Sequence, residues 1–215
     1  MLAPSEFEKA RIDLVWRLGG RQITYSHVMQ DLIPVKQYRR EHPEYFGTDL
    51  RAQACQTHPD VIRIIADKYR RQLDEQTEGI VSFSLSSIDD AYYSRFCHCR
   101  TCTAVGNLGA RKVNFANLIA RDLARSHPHR FLLNTLATWN EHPHPDPMIK
   151  AEPGGCVMLV NEGDHVHPWD EPEPEAFVRS SGRNNTREIN AFNGWQKTAA
   201  IMAMYEWWIP GPRPE

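Results

Sequence analysis

The chain has 215 residues, 41% of them hydrophobic and 24% charged, with a formal net charge of -2. That balance describes an ordinary globular protein with enough chain to bury a substantial core as one domain over residues 1–215. It offers no basic footprint for nucleic acid, no polybasic patch for a membrane surface, and no run near the roughly 18 apolar residues of a membrane span. The opening stretch MLAPSEFEKARIDLVW carries charges where an export signal needs an apolar centre. A cytoplasmic location is therefore expected of the chain as written, and a secreted one if an N-terminal region has been lost.

In chain order, Asp60 to Leu73 places Val61, Ile64, Ile65, Tyr69 and Leu73 at helical spacing behind Pro59. Gly79 to Ser87 alternates apolar and small residues and predicts a strand. A polar, cysteine-bearing loop follows, then a helix from Lys112 to Ala124 marked by Phe115, Leu118, Ile119 and Leu123. Phe131 to Thr138 is the next strand, and a Pro- and His-rich loop leads to the buried strand Gly155-Cys-Val-Met-Leu-Val. After a long acidic loop, a helix is expected around Glu188 to Ala203 and a short closing strand at Ala203 to Ile209. No internal repeat or low-complexity tract interrupts the pattern.

Alternating strands and helices argue for right-handed βαβ units on a parallel sheet, whose working loops follow the C-terminal ends of the strands. Here those loops are rich in Asp, Glu, His, Asn and Trp, whereas the loops after the helices, Glu75 to Gly79 and Ser126 to Arg130, are short and plain. The asymmetry singles out one face for function.

Several residues on that face can carry chemistry. Asp89 and Asp90 end the first strand and can serve as general acid, general base or electrostatic stabiliser. Neighbouring strand residues point to opposite sides, so at most one of the two faces the cleft, and the other reading is a turn cap or a partner for Arg95. Trp139, Asn140 and Glu141 combine an aromatic platform for a sugar ring with groups that read its hydroxyls, unless Glu141 is simply a solvated loop residue. Asn161 and Glu162 emerge directly from a buried run, with His165 and His167 just beyond as substrate ligands or exposed loop histidines. Glu206, between Tyr205 and Trp208, either faces the cleft or pairs with an arginine.

Five cysteines are present, three of them crowded into Cys97-His-Cys99-Arg-Thr-Cys102. That spacing is poor for disulfides and better for a metal or for packing. A structural zinc would take Cys97, Cys99 and Cys102 with Cys55 or His98 as fourth ligand; the plainer reading is a set of reduced cysteines packing a loop. Cys156, inside a strand, stands apart.

The residues also carry a family resemblance. Ser26-His27, Leu32-Ile-Pro34, Gln37-Tyr38, Glu41-His-Pro-Glu-Tyr-Phe46 and Gln53-Ala-Cys55-Gln-Thr-His-Pro59 follow one another in a familiar order. Ser84 to Asp90, Phe96 to Cys102, Val113 with Asn117, the Pro143 turn, and Trp195 before the Tyr205 strand complete it. This pattern resembles the large bacterial group defined by the "domain of unknown function 4838", related to the α-glucuronidase barrels and including endo-β-N-acetylglucosaminidases. The HPEYF and cysteine segments are the most specific part. The resemblance implies a (β/α)8 TIM-barrel-like fold with a carbohydrate-directed site, in which Asp90 falls on the family's aspartate and His27 on its histidine. Eight βα units usually need about 250 residues, and five or six strands are visible, so the barrel is expected to be incomplete. Either the chain is N-terminally truncated or the missing strands come from another segment or an oligomer.

The leading expectation is a glycoside hydrolase working on a glycan, an N-acetylglucosaminide or a uronide, through Asp90, Glu162 and Glu141. Its substrate would be held by His27, Asp89, Trp139, Asn140, Asn161, His165, Glu206 and Trp208, and catalysis would need no cofactor. The alternative is a non-catalytic, carbohydrate-binding barrel. A metal-dependent hydrolase ranks last, because the H-x-H pairs His142/His144 and His165/His167 sit in Pro-containing loops.

Overall fold

The computed structural model describes residues 27–47, 53–76, 78–87, 96–137, 144–161 and 185–206. In these, helices α1 (Met29–Leu32) and α2 (Val35–Tyr38) and a 3₁₀ turn (Pro43–Tyr45) precede the long helix α3 (Pro59–Glu75). Strand β1 (Val81–Ser84) is followed by α4 (Arg100–Val105) and α5 (Leu108–Leu123), then β2 (Phe131–Ala137) and β3 (Gly155–Asn161). Helix α6 (Asn185–Gln196) and strand β4 (Ile201–Glu206) complete the order.

The four strands form one parallel sheet in the order β1-β2-β3-β4, each pairing with its successor in the chain. The parallel α/β class therefore holds. The expected barrel does not appear: the sheet among the described residues has four strands, not five or six, and it is open. Neighbouring strands twist by only about 20–25°, and a (β/α)8 barrel closes with eight. Beyond the outer edge of β1 the parallel order continues in an isolated bridge between His27 and Ser86.

Local sequence explains the helix boundaries. In α3, Pro59 occupies the first turn, where its missing N–H costs nothing, and the His58 ring accepts from the Asp60 amide at 3.2 Å. Helix α5 starts four residues before the expected Lys112 because the Asn107 side chain caps the Ala110 amide at 2.9 Å. The segment between β1 and α5, expected as loop throughout, contains α4. Gly106 ends α4 at φ +128°, and a Cβ there would lie 2.4 Å from the Asp146 carbonyl oxygen, so the turn into α5 requires glycine. The expected helix at Glu188 to Ala203 ends earlier, at Gln196, where the Thr198 and Ala199 amides both bond the Trp195 carbonyl. Ile201, Met202 and Ala203 pair instead with Cys156, Val157 and Met158 of β3.

The main core lies between the sheet and helices α3 and α5. It joins Val61, Ile65, Tyr69 and Leu73 of α3 to Phe115 and Ile119 of α5 and to Phe83 and Leu133 of the strands. Tyr69 stacks on Phe83 with ring centroids 4.2 Å apart and donates its hydroxyl to the Ser84 carbonyl at 2.5 Å. Burial pushes the Tyr69 phenol well above its ordinary pKa, which keeps it a donor. Arg70 of α3 binds both Asp67 and Asp122, tying α3 to α5. A second cluster packs Val113, Ala137, Val157 and Leu159 around Trp195. A third, Leu136, Met158 and Val160 with Ala203, is built from strand residues alone and lies on the opposite face of the sheet.

Asn117, buried to 3% exposure on α5, donates to the Lys150 carbonyl at 2.8 Å and accepts from the Glu152 amide at 2.8 Å. It thereby staples the approach to β3 onto the helix. Asn117→Ala leaves both backbone groups short of a partner and is expected to cost about 2 kcal/mol. A thermal melt should fall by about 4–8 °C for a chain of this size; an unchanged melting temperature would show that the staple is redundant.

Candidate functional site

The parallel register brings the C-terminal ends of all four strands to one end of the sheet. Asn161, the last residue of β3, pairs with Glu206, the last of β4, so these two predicted residues stand side by side in the backbone. His27 sits next to the continuation of β1, bridged to Ser86, with its Nδ1 on the Ser87 carbonyl. A histidine from the first described segment and the approach to Asp89 and Asp90 thus meet at the same end. Asp89, Asp90, Trp139, Asn140, Glu141, Glu162, His165 and Trp208 lie outside the described residues. In the chain, Asp90 follows the end of β1 by six residues, Glu141 that of β2 by four, and Glu162 that of β3 by one.

Buried polar groups that sequence patterning missed lie along the same strands. Ser86 is 1% exposed, and its hydroxyl has no hydrogen-bond partner among the described residues. Asn134, fully buried on β2, donates to the Ser82 hydroxyl at 2.6 Å and links β1 to β2. Lys112 enters from α5 with 4% exposure and donates to the Leu136 carbonyl at 2.6 Å, near the C-terminal end of β2. A serine or asparagine within a strand reads as a solvated position, and only the burial of both faces reverses that reading. Among the H-x-H histidines, His144 is described: it packs against Gly194 of α6, and its carbonyl accepts from Asn107 at 2.9 Å.

The cysteines form the other concentration of chemistry. The Sγ atoms of Cys55, Cys97, Cys99 and Cys102 all lie within 4.8 Å of one another, a set that can hold a metal ion. Cys55 stands just ahead of α3 and is placed by its amide, which donates to the Tyr45 carbonyl at 2.7 Å. Cys99 caps α4, its thiol accepting from the Cys102 amide at 3.4 Å. Arg111, 4% exposed, fixes the hook from behind, with its guanidinium on the Gly106 carbonyl at 2.9 Å and the Cys97 carbonyl at 3.2 Å. Hydrogen bonds from Cys102 and Cys97 hold the Cys55 thiol well below its ordinary pKa, while the same sharing raises Cys97 and pushes Cys102 up to about 11. Cys156 is apart from the cluster within β3, and burial alone raises its thiol to about 11.

Among the described residues, no helix is long and apolar enough to cross a membrane. No curated protein and no solved structure matches the chain. The family whose model does match is described as Domain of unknown function (DUF4838), over residues 7–210. With nearly the whole chain covered, from ahead of the HPEYF segment to past the Tyr205 strand, the protein belongs to that family.

Proposed function

We propose that this protein is a glycan-directed glycoside hydrolase whose carboxylates act at the C-terminal end of the parallel sheet. The observation that carries the reading is the shared strand end. Consecutive strands run parallel, so their C-terminal ends lie toward one end of the sheet, with the last residues of β3 and β4 paired, and the chain beyond each of the first three soon reaches a carboxylate: Asp90, Glu141 and Glu162. The fourth strand itself ends on Glu206. In parallel α/β folds, substrates bind at that end. The strand-only cluster of Leu136, Met158 and Val160 also suits the interior of a barrel, of which the four strands would be half.

In this reading Asp90 and Glu162 divide the work of protonating the leaving oxygen and stabilising the oxocarbenium-like centre. Trp139 and Trp208 supply faces for sugar rings, and His27, Asn140 and Asn161 read hydroxyls. The thiol cluster takes no part in bond cleavage; its ion is structural and of the zinc kind.

The direct test is incubation of the purified protein with aryl glycosides and with N-glycans, following released phenol and newly formed reducing ends. Turnover of one glycan class is the expected result. Binding of glycans without any turnover by a folded protein would replace the hydrolase with a carbohydrate-binding barrel.

A further inference from the structure

The thiol cluster carries an inference that stands independently of any reaction on glycans. A tetrahedral zinc site with Zn–S bonds of about 2.3 Å has sulfur–sulfur edges of about 3.8 Å. Cys55 Sγ lies 3.8 Å from Cys99 Sγ and 3.6 Å from Cys102 Sγ. These separations far exceed the roughly 2.05 Å of a disulfide, and all the cysteines named are free thiols. They match the edges of a metal tetrahedron, and the widest spread of 4.8 Å within the group needs a contraction of about 1 Å to reach it.

Donors already surround the sulfurs. The Thr57 hydroxyl lies 3.2 Å from Cys102 Sγ and 3.6 Å from Cys55 Sγ, and the Thr101 hydroxyl lies 3.3 Å from Cys99 Sγ. The Cys102 amide points at Cys99 Sγ. A thiolate can only accept, so both hydroxyls would donate to bound sulfur, the outer support that metal-held cysteines use. Sequence spacing left both Cys55 and His98 open as fourth ligand. His98 is exposed and outside the group, whereas Cys55 is buried within it, although it comes 44 residues before Cys99.

We infer that Cys55, Cys97, Cys99 and Cys102 bind one thiophilic divalent ion, zinc, in a closed four-sulfur site that clasps the segment ahead of α3 to the hook at the start of α4. On binding, each thiol loses its proton to solvent as its S–Zn bond forms, and nothing is oxidised or reduced. A closed set of four protein ligands leaves no position for water or substrate, so the ion acts as a staple. Its binding energy becomes folding energy for the two segments it joins.

The test is made on the full chain, purified under reducing conditions without added metal and analysed for metal content by mass spectrometry. About one zinc per chain is expected, retained in His98→Ala and lost in Cys55→Ser. Because Cys55→Ser can also disturb packing, the wild-type protein is stripped, checked for its fold by circular dichroism and refilled with cobalt(II). The sulfur-to-cobalt charge-transfer absorption and intense visible bands of a tetrahedral thiolate site should then appear, saturating at one equivalent. Thr57→Val should keep the spectrum while weakening zinc in a chelator competition by about 10–100-fold. Folded, reduced protein that gives no such spectrum on refilling would overturn the site. A His98→Ala variant that loses its zinc would overturn the assignment of Cys55.

Discussion

Asp90→Asn is expected to slow glycoside cleavage by about 10²–10⁴-fold while leaving the far-ultraviolet circular dichroism unchanged. The amide keeps the shape of the carboxyl group but can neither give up a proton to a leaving oxygen nor hold a negative charge beside a developing cation. Asp89 is the internal control. If the chain stays extended beyond β1, adjacent side chains point to opposite sides, so Asp89→Asn should lose far less than Asp90→Asn. Glu162→Gln, directly after the last residue of β3, should cause a second loss of similar size. Once wild-type turnover is measured, equal and full activity in both the Asp90 and Glu162 variants would remove the paired-carboxylate mechanism. A loss confined to Asp89→Asn would move the role one residue along the chain.

The second large effect concerns stability. Trp195 is 1% exposed and fills the cluster formed with Val113 of α5, Ala137 of β2 and Val157 and Leu159 of β3. Truncating a buried aromatic to alanine removes its transfer free energy and leaves a cavity, together about 3–5 kcal/mol. Against a total stability of about 5–15 kcal/mol, Trp195→Ala should shift the urea midpoint sharply downward. Trp195→Phe, which keeps most of the volume, should cost clearly less. A loss under about 1 kcal/mol for the alanine variant would mean that α6 contributes little to the core, since large effects of this kind are tied to tight packing. Because the cluster lies on the helix side of the sheet, glycan binding should survive in any fraction of Trp195→Phe that remains folded.

Periodicity and apolar runs made the regular elements readable. The apolar spacing of Val61, Ile65, Tyr69 and Leu73 announced α3, and the unbroken run from Cys156 to Val160 announced β3. The errors came where short-range chemistry overrides periodicity. Helix α4 is six residues long, too short to show a period, and is organised by the Cys99 thiol. The start of α5 contains Gly109 and Arg111, which read as loop residues, and Lys112, which reads as solvated, yet all three are buried, the two cations through bonds to backbone carbonyls. At the end of α6, Ile201 and Met202 fit either a helix or a strand by composition, and pairing with β3 decides the matter.

The site divides in the same way. The three-cysteine hook was visible from spacing, but the choice of Cys55 over His98 depends on folding that brings residues 55 and 99 together. The neighbourhood of Asn161 and Glu206 is a property of strand register, which a single sequence does not display. Ser86 and Asn134 were overlooked because nothing local marks a polar strand residue as buried.

The one-after-another strand order bears on how the molecule is made. Each strand of the described sheet after β1 pairs with the strand immediately before it in the chain. During synthesis from the N-terminus, β2, β3 and β4 therefore each find a partner edge already in place, and among the described strands none has to wait for a later one to be inserted between neighbours. The clasp inferred above would follow the same schedule, because its last ligand, Cys102, precedes β2 in the chain. In the inferred site the thiols would thus be gathered by metal before β2, β3 and β4 are laid down in turn.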